Sequence, residues 1–329
     1  MQPFTYARAR TLAEAVAALR QPQALAVAGG TELLNWMKEG IAAPHHVVDI
    51  NGLAGLDRIE VDGRGLRIGA LARMSAVAGH TAVRSAYPAI AQALLASASP
   101  QIRNMATMGG NLMQRTRCPY FRAEVDLPCN KRRPGSGCAA LAGDDRAAAV
   151  FGGSAQCIAT HPSDVAVALA ALDATVHIDG PGGTRSVPMV DFHRLPGDSP
   201  ARDTGLDQGE IITAITVPAS ALARRSLYLK LRERASYEFA LVSAAVGVDL
   251  EGERIRAAHI ALGGVAPRPW RLQASEDALR GALLSDETAL RQALDKDFAQ
   301  ARPGHHNGFK IELAKRAVVR ALRMAGEQA

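Results

Sequence analysis

A chain of 329 residues is long enough for two domains, and 48% apolar with 21% charged residues lies near globular averages, which argues against global disorder. A net charge of +6 spread over scattered Lys and Arg, with only 4% aromatic residues, excludes a polyanion-binding stripe or a stacking surface, so no nucleic-acid partner is expected. No apolar run reaches the ~18 residues that cross a bilayer. Met1-Gln2-Pro3-Phe4-Thr5-Tyr6 also lacks the basic-then-apolar pattern of a secretory signal. The expectation is a cytoplasmic chain without membrane insertion, reaching the periplasm only through a partner's signal.

In chain order, a helix is expected from Thr11 to about Leu19. Thr11 suits the N-cap, Glu14 follows three residues later as in a capping box, and apolar residues recur at 12, 15, 16 and 19. Ala24 to Ala28 reads as a buried strand that ends in Gly29-Gly30-Thr31 and leads into a helix from Glu32 to Lys38. Short strands follow at His46 to Ile50 and Gly65 to Leu71, then helical patterns at Ser75 to His80 and Tyr87 to Ala98. From Thr107 to Cys157 the periodicity collapses into Gly, Pro and Arg, and a loop of that length needs something to order it. Pattern returns with a helix from Ser163, as N-cap, to Leu172, and strands at Thr175 to Ile178 and Ile211 to Val217. After Pro218 three strands (Ser226 to Leu231, Ala240 to Leu250, Arg256 to Leu262) precede helices, the clearest at Lys310 to Met324. The fold class is α+β, with a first domain over residues 1–222 and a smaller α+β domain over 223–329.

Strand, Gly-Gly-Thr and helix in succession is a recipe for holding phosphate, because glycine admits close approach to backbone N–H groups. A tight strand-to-helix turn explains Ala28-Gly29-Gly30-Thr31 equally well, and the spacing is not that of a Rossmann loop. Thr107-Met108-Gly109-Gly110-Asn111 has the same character. Two such loops suit a ligand with a pyrophosphate and a long body. Asp164, after His161-Pro162-Ser163, is either a helix first-turn carboxylate or an acceptor for ribose or ribityl hydroxyls. His45-His46 and His305-His306 read as surface pairs, and Trp36 and Trp270 as packing residues.

All four cysteines, Cys118, Cys129, Cys138 and Cys157, fall in the unpatterned stretch, with 10, 8 and 18 residues between them. Disulfides, a four-cysteine zinc site and a [4Fe-4S] cluster all remain open on spacing alone. The neighbouring Arg115, Arg117, Lys131, Arg132 and Arg133 would offset the charge of a thiolate cluster.

Taken in order, AGGT (28–31), QIRNMATMGGN (101–111), HPSD (161–164), GEIITAITVP (209–218) and GGVAPRPW (263–270) resemble the FAD-binding medium subunits of molybdenum hydroxylases, the carbon monoxide, xanthine and aldehyde dehydrogenases. The resemblance spans essentially the whole chain. RTRCPYF, PCNKR, PGSGCAA and QCIATHPSD are further similar to a cluster-bearing insertion in one branch, the flavin subunits of bacterial periplasmic aldehyde oxidoreductases. It implies a two-part, PCMH-like FAD domain with a [4Fe-4S] insertion at about 112–160, then a domain with a three-stranded sheet and helices. It implies that Ala26, Val27, Ala28, Gly29, Gly30, Thr31, Glu32 and Leu33 wrap the FAD pyrophosphate, and that Thr107, Met108, Gly109, Gly110 and Asn111 continue the cradle. Asp164 would contact the ribityl or adenosine side, Ile212 the ring system, Lys230 a nearby polar atom, and Tyr237 the isoalloxazine. Cys118, Cys129, Cys138 and Cys157 would ligate the cluster. The implied partners are a small [2Fe-2S] subunit, a large molybdopterin subunit and an external electron acceptor; no catalytic acid or base is expected on this chain. A stand-alone FAD oxidoreductase and a four-cysteine zinc module without redox function are the alternatives.

Overall fold

A computed structural model describes residues 1–327 of the chain, which form an α+β fold built on three sheets. The first is parallel, with order β1-β3-β2 from β1 (Thr5–Arg8), β2 (Ala24–Val27) and β3 (His46–Asp49). The second is antiparallel, with order β4-β5-β8-β6-β7 from β4 (Ile59–Asp62), β5 (Gly65–Gly69), β6 (Thr175–Gly180), β7 (Gly183–Pro188) and β8 (Ile211–Pro218). The third runs β12-β11-β10-β9, from β9 (Ser226–Leu231), β10 (Val242–Glu251), β11 (Arg254–Gly263) and β12 (Trp270–Arg271). This last sheet is therefore four-stranded where three strands were expected; the added strand is two residues long, too short to carry a sequence pattern.

The helices follow their local signals. Thr11 caps Leu12–Leu19 by accepting from the Glu14 N–H at 3.2 Å, while the Glu14 carboxylate reaches back to the Arg10 N–H, one residue before the cap. Ser163 caps Asp164–Ala171 by accepting from the Ala166 N–H at 3.1 Å. Every residue of Asp164–Ala171 is buried, as expected of a helix apolar on all sides. It lies between Pro88–Ala96 and the strands β10 and β11. The core around β5, β6 and β8 consequently includes Tyr228, Ala245 and Ala261 from the third sheet. A second core joins the third sheet to the helices Glu287–Phe298 and Phe309–Gly326.

The stretch from Thr107 to Cys157 is better ordered than its sequence suggests. It holds the short helices Met108–Leu112 and Pro119–Arg122, a 3-10 turn at Ala139–Leu141, and isolated bridges between Cys129 and Cys138 and between Ser154 and Cys157.

Candidate functional site

The two glycine loops meet. Gly29 packs so closely on the end of the helix Pro100–Met105 that a Cβ there would fall 2.0 Å from the Met105 carbonyl oxygen. Gly30 adopts φ +72°, a left-handed conformation that side chains disfavour. Between the loops and β8 opens a cleft of about 330 Å3. Ala26, Ala28, Gly29, Gly30, Thr31, Glu32, Leu33, Thr107, Gly109, Gly110 and Ile212 all line it. Val27 turns away toward Leu33, Met37 and Val47, and Met108 and Asn111 are buried behind the second loop.

The loops are not equivalent. The backbone N–H groups of Gly29, Gly30, Thr31, Glu32 and Leu33 donate to no acceptor among the described residues. In the second loop, Met108 and Gly109 donate to the carbonyls of Ala72 and Ala70, and Gly110 donates to the Thr107 hydroxyl. A Cβ at Gly109 would lie 3.1 Å from that of Ala70. The first loop thus offers donors, and the second forms a tightly packed wall. A run of unspent N–H groups beside a wall without protruding side chains fits an anionic, phosphate-bearing ligand.

A second cavity of about 250 Å3 is lined by Arg117, His161, Ser163, Asp164, Phe239 and Gly264, among others. Asp164 accepts from Ser97 at 2.8 Å, from the Tyr228 hydroxyl and from Lys230 Nζ at 2.8 Å. Lys230 also donates to the Ala96 carbonyl at 3.2 Å. These two expected flavin contacts are therefore partners of one another, joining Asp164–Ala171 to β9. Burial beside that carboxylate pushes the Tyr228 phenol well above its usual range. His193 donates from Nε2 to the Leu112 carbonyl at 2.8 Å, with the His161 ring 3.9 Å away. Burial lowers both imidazoles, His193 to about 4. Tyr237 lies outside both cavities, 59% exposed and at φ +55°.

The arrangement of the cysteines corrects the iron–sulfur expectation. No three sulfurs of Cys118, Cys129, Cys138 and Cys157 lie within 4.8 Å of one another; among the described residues the one such convergence of ligand atoms is Asp144, Asp145 and His306. The residues 112–160 are thus not assigned a [4Fe-4S] cluster, and the four cysteines are not assigned as its ligands. The expectation rested on the likeness of this insertion to one branch of the family, and the order that so unpatterned a segment needs comes here from protein groups. Asp203 receives Arg115 at 2.6 Å and also Lys131, whose ammonium reaches the Pro200 carbonyl at 2.8 Å. Asn130 bonds Gln156 at 2.7 Å and the Gly137 N–H at 2.9 Å. The basic residues counted as cluster counter-charges are spent elsewhere: Arg117 on Glu32, Arg133 on Asp126, and Arg132 on the Ala123 carbonyl. The Asp144–Asp145–His306 group is itself committed, because Asp145 accepts the N–H groups of His305 and His306 at 2.7 Å each.

Sequence reasoning did not anticipate the segment from Thr204 to Gln208 as a wall of the first cleft, or Arg117 as a wall of the second. Neither carries a local pattern; both arrive through long-range packing.

Residues 2–220 match the family of the FAD binding domain in molybdopterin dehydrogenase, and residues 227–325 match the CO dehydrogenase flavoprotein C-terminal domain. The chain is 50% identical to the aldehyde oxidoreductase FAD-binding subunit PaoB of Escherichia coli (strain K12), over the whole of both chains. It is 29% identical to the carbon monoxide dehydrogenase medium chain of Afipia carboxidovorans, covering 99% of this chain and 96% of that one. Its fold superimposes on the reconstituted CO dehydrogenase from Oligotropha carboxidovorans with a TM-score of 0.78 at 26% identity, covering 100% and 99% of the two chains.

Proposed function

The chain belongs to the family of FAD-binding subunits of the molybdenum hydroxylases, and on that premise we propose how its clefts serve electron transfer. It is the FAD-containing oxidoreductase subunit of a larger, hetero-oligomeric molybdenum enzyme. FAD accepts electrons singly and releases them as a pair, which suits it to link one-electron centres to a two-electron acceptor. The observation that carries the site reading is that Gly29 to Leu33 line the first cleft while their backbone N–H groups remain unspent. These groups hold the FAD diphosphate, with Thr107, Gly109 and Gly110 as the opposing wall and Ile212 packing on the cofactor body. Asp164, which lines the second cavity and pairs with Lys230, fixes the shape of the far end of the site.

The specific partners are a small [2Fe-2S] subunit and a large molybdopterin subunit that oxidises the substrate. The 50% identity to an aldehyde oxidoreductase subunit favours an aldehyde as that substrate. Titrating the full-length chain with FAD should quench flavin fluorescence to a stoichiometry of about one per chain, with FMN and riboflavin binding more weakly. Co-expression with the two neighbouring subunits should give a complex whose flavin bleaches when aldehyde is added. Equal affinity for FAD and riboflavin would refute the diphosphate assignment.

A further inference from the structure

The Glu32 carboxylate sits on the donor loop itself, where a diphosphate would meet it. Its Oε1 contacts Arg117 directly and lies 3.6 Å from Arg122, which also pairs with Glu39 at 2.7 Å. Glu32 lines the first cleft and Arg117 the second, so this ion pair is the shared partition between the two cavities. The Arg117 guanidinium also lies 4.9 Å from the ring centre of Phe239, another wall of the second cavity. Three buried atoms of the network have no partner: Glu32 Oε2, Arg117 Nε and Arg122 Nη2. Two of these are guanidinium donors, and an orphaned buried donor is costly unless something accepts from it. An anionic oxygen satisfies such donors best, and guanidinium groups suit phosphate in particular.

We propose that Arg117, positioned by Glu32, is an affinity determinant for the diphosphate of the dinucleotide, neutralising the loop carboxylate and donating to phosphate oxygen at the partition between the two cavities. The assignment rests on the dinucleotide reading above. It has a consequence that a merely structural ion pair lacks. Without Arg117, Glu32 becomes a like charge on the phosphate loop, so removing Glu32 as well must help binding.

The test is a double-mutant cycle on the full-length chain, read as flavin affinity from fluorescence quenching with FAD and with riboflavin. Arg117→Gln should weaken FAD at least tenfold while changing riboflavin affinity less than twofold. Arg117→Lys should recover part of the loss, and its chemical melting curve controls for folding. The double variant Glu32→Gln with Arg117→Gln should bind FAD more tightly than Arg117→Gln alone. An FAD affinity within twofold of wild type in Arg117→Gln, an equal loss for riboflavin, or strictly additive effects would each overturn the assignment. Wild-type protein that binds no FAD would instead overturn the dinucleotide reading, and this assignment with it.

Discussion

Gly30 and Asp164 carry opposite kinds of constraint. At Gly30 the φ of +72° and the Leu34 methyl 3.2 Å from a hypothetical Cβ leave no room for a branched side chain. Gly30→Val should strain the loop by about 1–3 kcal/mol and turn its donors out of line. The expected result is loss of bound FAD with a melting transition that stays cooperative; full flavin content would show that the loop is not the phosphate site. Asp164 and Lys230 are both deeply buried, with side chains 6% and 4% exposed. Asp164→Ala removes the charge partner of the buried Lys230, leaving it only the Ala96 carbonyl, and takes the acceptor of the Tyr228 hydroxyl, so it should lower stability by about 3–5 kcal/mol. The shift in urea midpoint measures this. An unchanged midpoint with weakened FAD would mean that the carboxylate is kept for the ligand and not for the fold.

At the level of elements, two side chains tie helices to loops. His193 closes the end of Met108–Leu112, and its folded pKa of about 4 lies below the unfolded value of 6.5. Between those values the unfolded chain takes up a proton that the folded one refuses, so stability falls as pH drops from 6.5 toward 4 and is fully present above. That shift corresponds to about 3 kcal/mol, and His161 acts in the same direction. Denaturation curves across that window should show the decline. His193→Gln, which keeps a donor for the Leu112 carbonyl but does not titrate, should flatten it. Lys310, at the start of Phe309–Gly326, is 1% exposed and donates to the carbonyls of Ala147 at 2.9 Å, Ala148 at 3.0 Å and Gly264 at 2.8 Å. Lys310→Met removes these bonds and should cost on the order of 3 kcal/mol. Limited proteolysis within residues 112–160 should accelerate before global unfolding sets in; unchanged cleavage would mean that Lys310 does not anchor that segment.

For the whole molecule, the decisive feature is a core that crosses the two family-matched regions. Tyr228, Ala245 and Ala261 belong to the cluster around β5, β6 and β8, and Asp164–Ala171 is buried against β10 and β11. A fragment of residues 1–222 would therefore expose one whole side of an apolar helix. It should aggregate or melt without a cooperative transition, as followed by gel filtration and circular dichroism. A monodisperse fragment with a sharp transition would show that the first region carries an independent core.

The sequence by itself determined the elements whose burial is two-sided or strongly periodic. β5, β6 and β8 in the middle of the five-stranded sheet were legible, and so were the capped helices Leu12–Leu19 and Asp164–Ala171. Its outer strands β4 and β7, and the exposed β1, were not, because an edge strand with a polar face lacks the apolar signal that identifies a strand. The glycine loops were legible as loops, since glycine marks backbone that a side chain would obstruct. Which loop keeps free donors was decided only in the tertiary structure, when the Ala70 and Ala72 carbonyls took the N–H groups of the second. The same holds for the segment between Thr107 and Cys157. Its order comes from partners distant in sequence, Asp203, Glu32, Glu39 and Lys310, and charge pairing at that separation leaves no periodicity to read. Local pattern records what a residue needs from its neighbours in the chain, whereas a binding site is made by whichever groups packing leaves unsatisfied.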